Sequence, residues 1–134
     1  MDKVRLQIIS PKKVIFDGEC RLVEYNTEEG YVGVLPGHVA MTQVLASGRL
    51  TVYDDEKVVL VGAAHSGIAR IMPDLITLLV EVCELKEEID VDRAIKARER
   101  ALKRLEDSGS GFDMERAKKA LKRAEARIQV AGKE

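Results

Sequence analysis

Polar and apolar residues alternate from the start of the chain. Val4, Leu6 and Ile8 are apolar and Lys3, Arg5 and Gln7 polar, the period of two that marks a half-buried strand. Ser10 and Pro11 end it, because proline cannot donate to a strand ladder. Further short apolar runs occupy residues 14–16, 20–25, 31–35, 39–42, 50–53, 58–61, 68–72 and 75–82. Turn-forming residues separate them: Asp17 with Gly18, residues 28–30, Pro36 with Gly37, Ser47 with Gly48, residues 54–56, and Pro73 with Asp74. About nine strands with no helical stretch among them require two packed layers, since one sheet cannot bury both faces. Residues 1–86 are therefore expected to form an antiparallel β-sandwich.

Beyond Asp90 the apolar period lengthens. Ala94, Ala97, Ala101 and Leu105 recur at steps of three and four, as do Met114, Ala117, Leu121, Ala124 and Ile128, which predicts two amphipathic helices. The stretch EDSGSG at 106–111 is polar and short, so the helices fold back as an antiparallel hairpin. Residues 87–134 form this second unit, giving a β + α chain: sandwich first, two-helix hairpin after it. Alanine dominates the seam, and small side chains bury little area at about 25 cal/mol per Å². A hairpin held that weakly reads as a moving part.

Composition narrows the classes. The 134 residues include 22 Lys+Arg against 23 Asp+Glu, 46% hydrophobic side chains and no Trp. That length suits one ordinary domain or two small ones, and no run approaches the roughly 18 apolar residues of a membrane span. Charges interleave with apolar residues in the opening MDKVRLQIIS, unlike a secretory leader, which makes the cytosol the expected compartment. Cys20 and Cys83 sit in apolar runs without CxxC or Cys/His spacing and are expected to be buried free thiols. No metal site is expected.

Catalytic patterns are missing. His38 and His65 have no HxxH or HExxH spacing and read as turn or strand-end histidines. Ser66 lacks a GxSxG elbow, and neither GxGxxG nor GxxxxGK[ST] occurs. The informative cluster is cationic: between Arg93 and Arg127 basic residues exceed acidic ones by six. Arg93 and Arg100 share one helix face and Arg123 and Arg127 another, so antiparallel closure pairs Arg93 with Arg127 and Arg100 with Arg123. Such a seam favours an anion between the helices, and a polyphosphate offers several acceptors for guanidinium forks. The plain alternative is a solvated face. Asp90 stands where a helix N-cap belongs, and Glu84 at the solvent end of the last strand.

The segment GYVGVLPGHVAMTQVL at 30–45 resembles the GxxGxLPGHxPLxxxL stretch of the epsilon subunit of bacterial F-type ATP synthase. MPDLITLL at 72–79 and EEIDVDRA at 87–94 resemble that family's last strand and its hairpin entry. The chain departs from the family pattern at Tyr31, where Glu is common, at Ala40, where Pro is common, and across residues 66–71. The resemblance implies a noncatalytic rotor subunit at the cytoplasmic face of the bacterial cell membrane, peripheral to it, whose sandwich binds the gamma subunit and the c-ring. Glu29, Tyr31, Val32 and His38 would make those contacts. It further implies that the helices inhibit ATP hydrolysis when extended along gamma into the alpha and beta subunits, with Arg98, Arg104 and Arg116 facing beta. Some bacterial members bind regulatory ATP in the folded form through an I/LDxxRA motif. By position this chain supplies Glu84, Ile89, Asp90, Arg93, Ala94, Arg100, Arg123 and Arg127, its four arginines being those the spacing had singled out.

A rival reading is a nucleic-acid-binding module built on the basic hairpin. The net charge of −1 and the lack of aromatics among the basic residues oppose it.

Overall fold

The computed structural model describes residues 2–107 and 113–132. The EDSGSG link lies for the most part outside the described residues. Eight strands come first: β1 Val4–Ile9, β2 Val14–Cys20, β3 Leu22–Thr27, β4 Gly30–Val34, β5 Met41–Leu45, β6 Gly48–Asp54, β7 Lys57–Ile71 and β8 Leu75–Leu85. One turn of 3₁₀ helix, Lys86–Glu88, leads into α1 Val91–Glu106, and α2 Met114–Ala131 follows.

Alternation places Val4, Leu6 and Ile8 in the core and leaves Arg5 outside. The strands lie in the order β2-β1-β8-β7-β5-β3-β4, with β6 joining β3 to β7. Most pairs are antiparallel, as expected of a sandwich, but β1 and β8 run parallel. Two expected strands, at 58–61 and 68–72, are one 15-residue strand, β7. The residues between them, Gly62 to His65, are small or buried and contain no proline, so nothing interrupts the ladder. Asp17 and Gly18 form no turn; they lie within β2, opposite Gln7 and Leu6.

β7 serves both layers. Its first part pairs with β6, with a register shift between Val52 and Tyr53, and its last part pairs with β5, the change of partner falling at Ser66, whose φ is +58°. The neighbouring Gly67 has φ +156°, and a Cβ there would strike the carbonyl oxygen of Leu79, so the corner needs glycine. The main core fills the space between the layers with Leu6, Ile8, Val23, Tyr25, Leu50, Val52, Ile71, Ile76 and Leu78.

The hairpin closes as the periodicity predicts, with Ala94 and Ala101 of α1 and Ala117, Ala124 and Ile128 of α2 buried. The alanine period did not reveal a second buried face on α2. Ala126 and Val130 pack on Ala63 of β7, with Val61 and Ile89 alongside. This small cluster is separate from the main core, and α2 lies against β6 and β7 between the sandwich and α1.

Candidate functional site

Where β8, the 3₁₀ turn, α1 and α2 meet, a cavity of about 400 Å³ opens. Glu84, next to last in β8, lines it with Glu88 and Asp90, and α1 contributes Arg93, Ala94, Ala97 and Arg100. Arg127 reaches in from α2. The spacing of Arg93, Ala94, Ala97 and Arg100 puts them on one side of α1, because residues three and four apart stack along a helix face. Asp90 is the N-cap of α1, its Oδ1 accepting from the Arg93 amide at 3.1 Å, so its capping role and its place on the cavity coexist. Asp113 caps α2 in the same way through the Arg116 amide, also at 3.1 Å.

Of the eight residues expected at a nucleotide site, six line this cavity: Glu84, Asp90, Arg93, Ala94, Arg100 and Arg127. Ile89 points instead into the small cluster under α2. Arg123 stands one turn before Arg127 and near enough to His65 for its charge to act there. Arg127 has a partner that the seam geometry did not anticipate. Its Nε donates to Glu84 Oε1 at 2.5 Å, both side chains being more than two-thirds buried. Like-charge repulsion across the seam is therefore offset by a carboxylate from the sandwich.

His65 departs from its expected place. It is a buried residue inside β7, 3% exposed, and not at a strand end, and it has an acidic partner. Its Nε2 lies 3.2 Å from the same Glu84 Oε1 and its Nδ1 lies 3.3 Å from Ser47 Oγ. Burial and the Arg127 charge push its pKa down to about 4, against the pull of Glu84. It is thus neutral near neutral pH, with Nε2–H donating to Glu84 and the Ser47 hydroxyl donating to Nδ1. Glu88, Ala97 and His65 were not expected at this site: the sequence cannot show that the 3₁₀ turn and this part of the α1 seam face Glu84, nor which β7 position faces α2.

The residues expected at the rotor ring and gamma lie elsewhere. Glu29 and Val32 sit at the β3–β4 hairpin, lining a shallow cleft with Thr42 and Val44. Tyr31 is half exposed, but its hydroxyl accepts from the Arg49 amide at 2.9 Å and meets Gln129 Oε1 of α2 at 3.3 Å. His38 sits on the β4–β5 loop, its Nδ1 beside the Val39 carbonyl. Arg104 and Arg116 are exposed on the hairpin and Arg98 is partly buried. Both cysteines are buried free thiols. Among the described residues no cluster of His, Cys, Asp and Glu could hold a metal ion, and no helix is long and apolar enough to cross a membrane.

The fold and this site define a β-sandwich protein that holds a charged helical hairpin against β6 and β7 through a small cluster apart from the main core. A family model described as the beta-sandwich domain of the ATP synthase Delta/Epsilon chain matches residues 3–86, and that family's long alpha-helix domain matches residues 87–132. The chain belongs to the ATP synthase delta/epsilon-chain family. It is 35% identical to the ATP synthase epsilon chain of Halalkalibacterium halodurans over 134 residues, covering 99% of this chain and 100% of that one. It is 38% identical to the epsilon chain of Moorella thermoacetica over 132 residues, 98% of each. Among solved structures, a chain of the Euglena gracilis mitochondrial ATP synthase (OSCP/F1/c-ring, rotational state 1) superposes with a TM-score of 0.81 at 25% identity. That match covers 96% of this chain and 81% of that one. A chain of the Tetrahymena thermophila enzyme's central stalk and c-ring shares the fold, with a TM-score of 0.65 at 16% identity over 98% of this chain and 96% of that one. Membership makes the chain a noncatalytic stalk subunit of ATP synthase, and the nucleic-acid reading falls away.

Proposed function

We propose that the sandwich, residues 1–86, couples rotation by binding the gamma subunit and the c-ring, while the hairpin, residues 87–134, is a nucleotide-responsive brake on ATP hydrolysis. The observation that carries the second part is the cavity itself. Its wall is complete only when sandwich, α1 and α2 are together, and three guanidiniums, Arg93, Arg100 and Arg127, converge on it. Guanidinium forks suit phosphate oxygens, so a triphosphate bridging α1 and α2 stabilises the closed hairpin. ATP then acts as a regulatory ligand and not as a substrate. Ala94 flanks the region for the base, Asp90 offers it an acceptor, and Arg123 adds positive charge from the neighbouring turn of α2.

Binding confined to the closed form stabilises it by about 2.7 kcal/mol at a hundredfold excess of ligand over Kd. That moves a balanced equilibrium to roughly 99:1. When ATP falls, the released helices extend along gamma, where Arg98, Arg104 and Arg116 meet acidic segments of the beta subunits beside alpha. The rotor-ring contact involves Glu29, Tyr31, Val32 and His38, at the cytoplasmic face of a bacterial membrane. The partner assignment draws on the similar chain in a solved OSCP/F1/c-ring assembly.

Isothermal calorimetry of ATP into the purified chain tests the nucleotide reading. Saturable heat at one site is expected, lost in the Arg123→Ala/Arg127→Ala double variant. No heat at millimolar ATP, or closure of the double variant by ATP, would refute it.

A further inference from the structure

Glu84 holds two partners with one oxygen. Oε1 accepts from Arg127 of α2 and from His65 of β7, and these two differ in kind. Arg127 carries a permanent charge and leaves when α2 leaves. His65 is anchored in the sandwich and is charged only when protonated. We propose that release of α2 from the sandwich takes up one proton at His65, which replaces Arg127 as the cation facing Glu84. The inference rests on the reading above only in that the hairpin docks and undocks; it does not require ATP.

The surroundings of His65 support the exchange. Charge reaches it from β8 through Glu84 and from α2 through Arg127 and Arg123, and Ser47 faces it from the β5–β6 corner. With α2 docked, both arginines and burial oppose a second proton, and only Glu84 favours it. When α2 departs, both arginines go and the histidine gains access to water. Glu84 then stands on the sandwich without Arg127, a carboxylate that favours a cation. Nε2–H already donates to Glu84, so the incoming proton, taken from water, goes to Nδ1. The Ser47 hydroxyl accommodates it by turning from donor to acceptor without moving its oxygen.

The sign follows from linkage. A histidine whose pKa is lower in the docked state makes docking strongest above its ordinary value of 6.5, and docking weakens as pH falls from there toward about 4. With a docked value of about 4 and a released value at or above 6.5, the opening constant of α2 rises more than about tenfold between pH 7.5 and pH 5.0. Acidification of the surrounding solution thus favours the released hairpin, independently of nucleotide.

The test is backbone amide exchange of residues 124–130 in the full chain, corrected for intrinsic exchange chemistry, together with an NMR titration of the His65 ring. The expected result is a rise of more than about tenfold in α2 opening that is absent from the amides of Leu6 and Leu78 and is flattened in His65→Gln. Glutamine keeps a donor for Glu84 but does not titrate. The ring should titrate well below 6.5 in the wild type and move upward in Arg127→Gln. A pH-independent opening, an equal rise in His65→Gln, a rise shared by Leu6 and Leu78, or a wild-type ring titrating at an ordinary value would overturn the proposal. The wild-type ring titration stands even if a variant fails to fold. Repeating the exchange with ATP separates the two readings: loss of ATP protection would count against the nucleotide site and leave the proton exchange intact.

Discussion

Val130→Ala separates the docking of the hairpin from the folding of the sandwich. Val130 is 3% exposed and belongs to the small cluster of Ala63, Ala126, Val61 and Ile89, apart from the main core. The other fully buried members of that cluster are alanines, so Val130 supplies most of the apolar area under this end of α2. Removing both Cγ methyls forfeits about 0.8 kcal/mol for each carbon, and the cavity left behind adds to it. Docking should therefore weaken by about 2 kcal/mol, a roughly 30-fold rise in the opening constant. Alanine is the better helix former by a few tenths of a kcal/mol, so α2 itself should stay helical. Amide exchange reads the effect: residues 124–130 should open about 30 times more often, while the amides of Leu6 and Leu78 keep their protection. An equal loss of protection in the sandwich strands, or no change in α2, would refute the division into two cores.

Gly67→Ala should destabilise the sandwich by more than about 2 kcal/mol in urea unfolding, because its Cβ would meet backbone at Leu79 and Val80; a near-neutral result would refute the tight corner. Asp90→Ala removes the N-cap of α1 and should cost about 1 kcal/mol, seen as faster exchange in the first turn of α1 with α2 little changed. Cys20 and Cys83 are buried, and desolvation pushes both thiols up to about 11, so neither should react with a thiol reagent at pH 8 until the sandwich unfolds. Rapid labelling of native protein would contradict that burial.

Much of the molecule is legible in local pattern. The change of period from two to 3.6 near Asp90 separates strands from helices, because each element must turn one apolar side to a core. Asp90 before an amphipathic helix announces its cap, and Arg93, Ala94 and Arg100 share a face by helical geometry alone. The 30–45 segment and the IDVDRA sequence carry the family resemblance, which the delta/epsilon domain matches bear out.

Other features depend on contacts between residues far apart in the chain. His65 and Glu84 are 19 residues apart, and Glu84 and Arg127 are 43 apart; periodicity cannot say that strand positions and a helix position share one oxygen. The merging of two expected strands into β7 needed a partner strand on each side of the Ser66 corner. The second face of α2 was hidden because Ala126 and Val130 fall off the seam period and make sense only with Ala63 beneath them. Sequence by itself determined the passage from strands to two helices and the seam face of each helix, since those follow from spacing along the chain. Only the tertiary structure decided which charges meet and at what depth, since pairing energy depends on distance and burial, and neither is written in the order of residues.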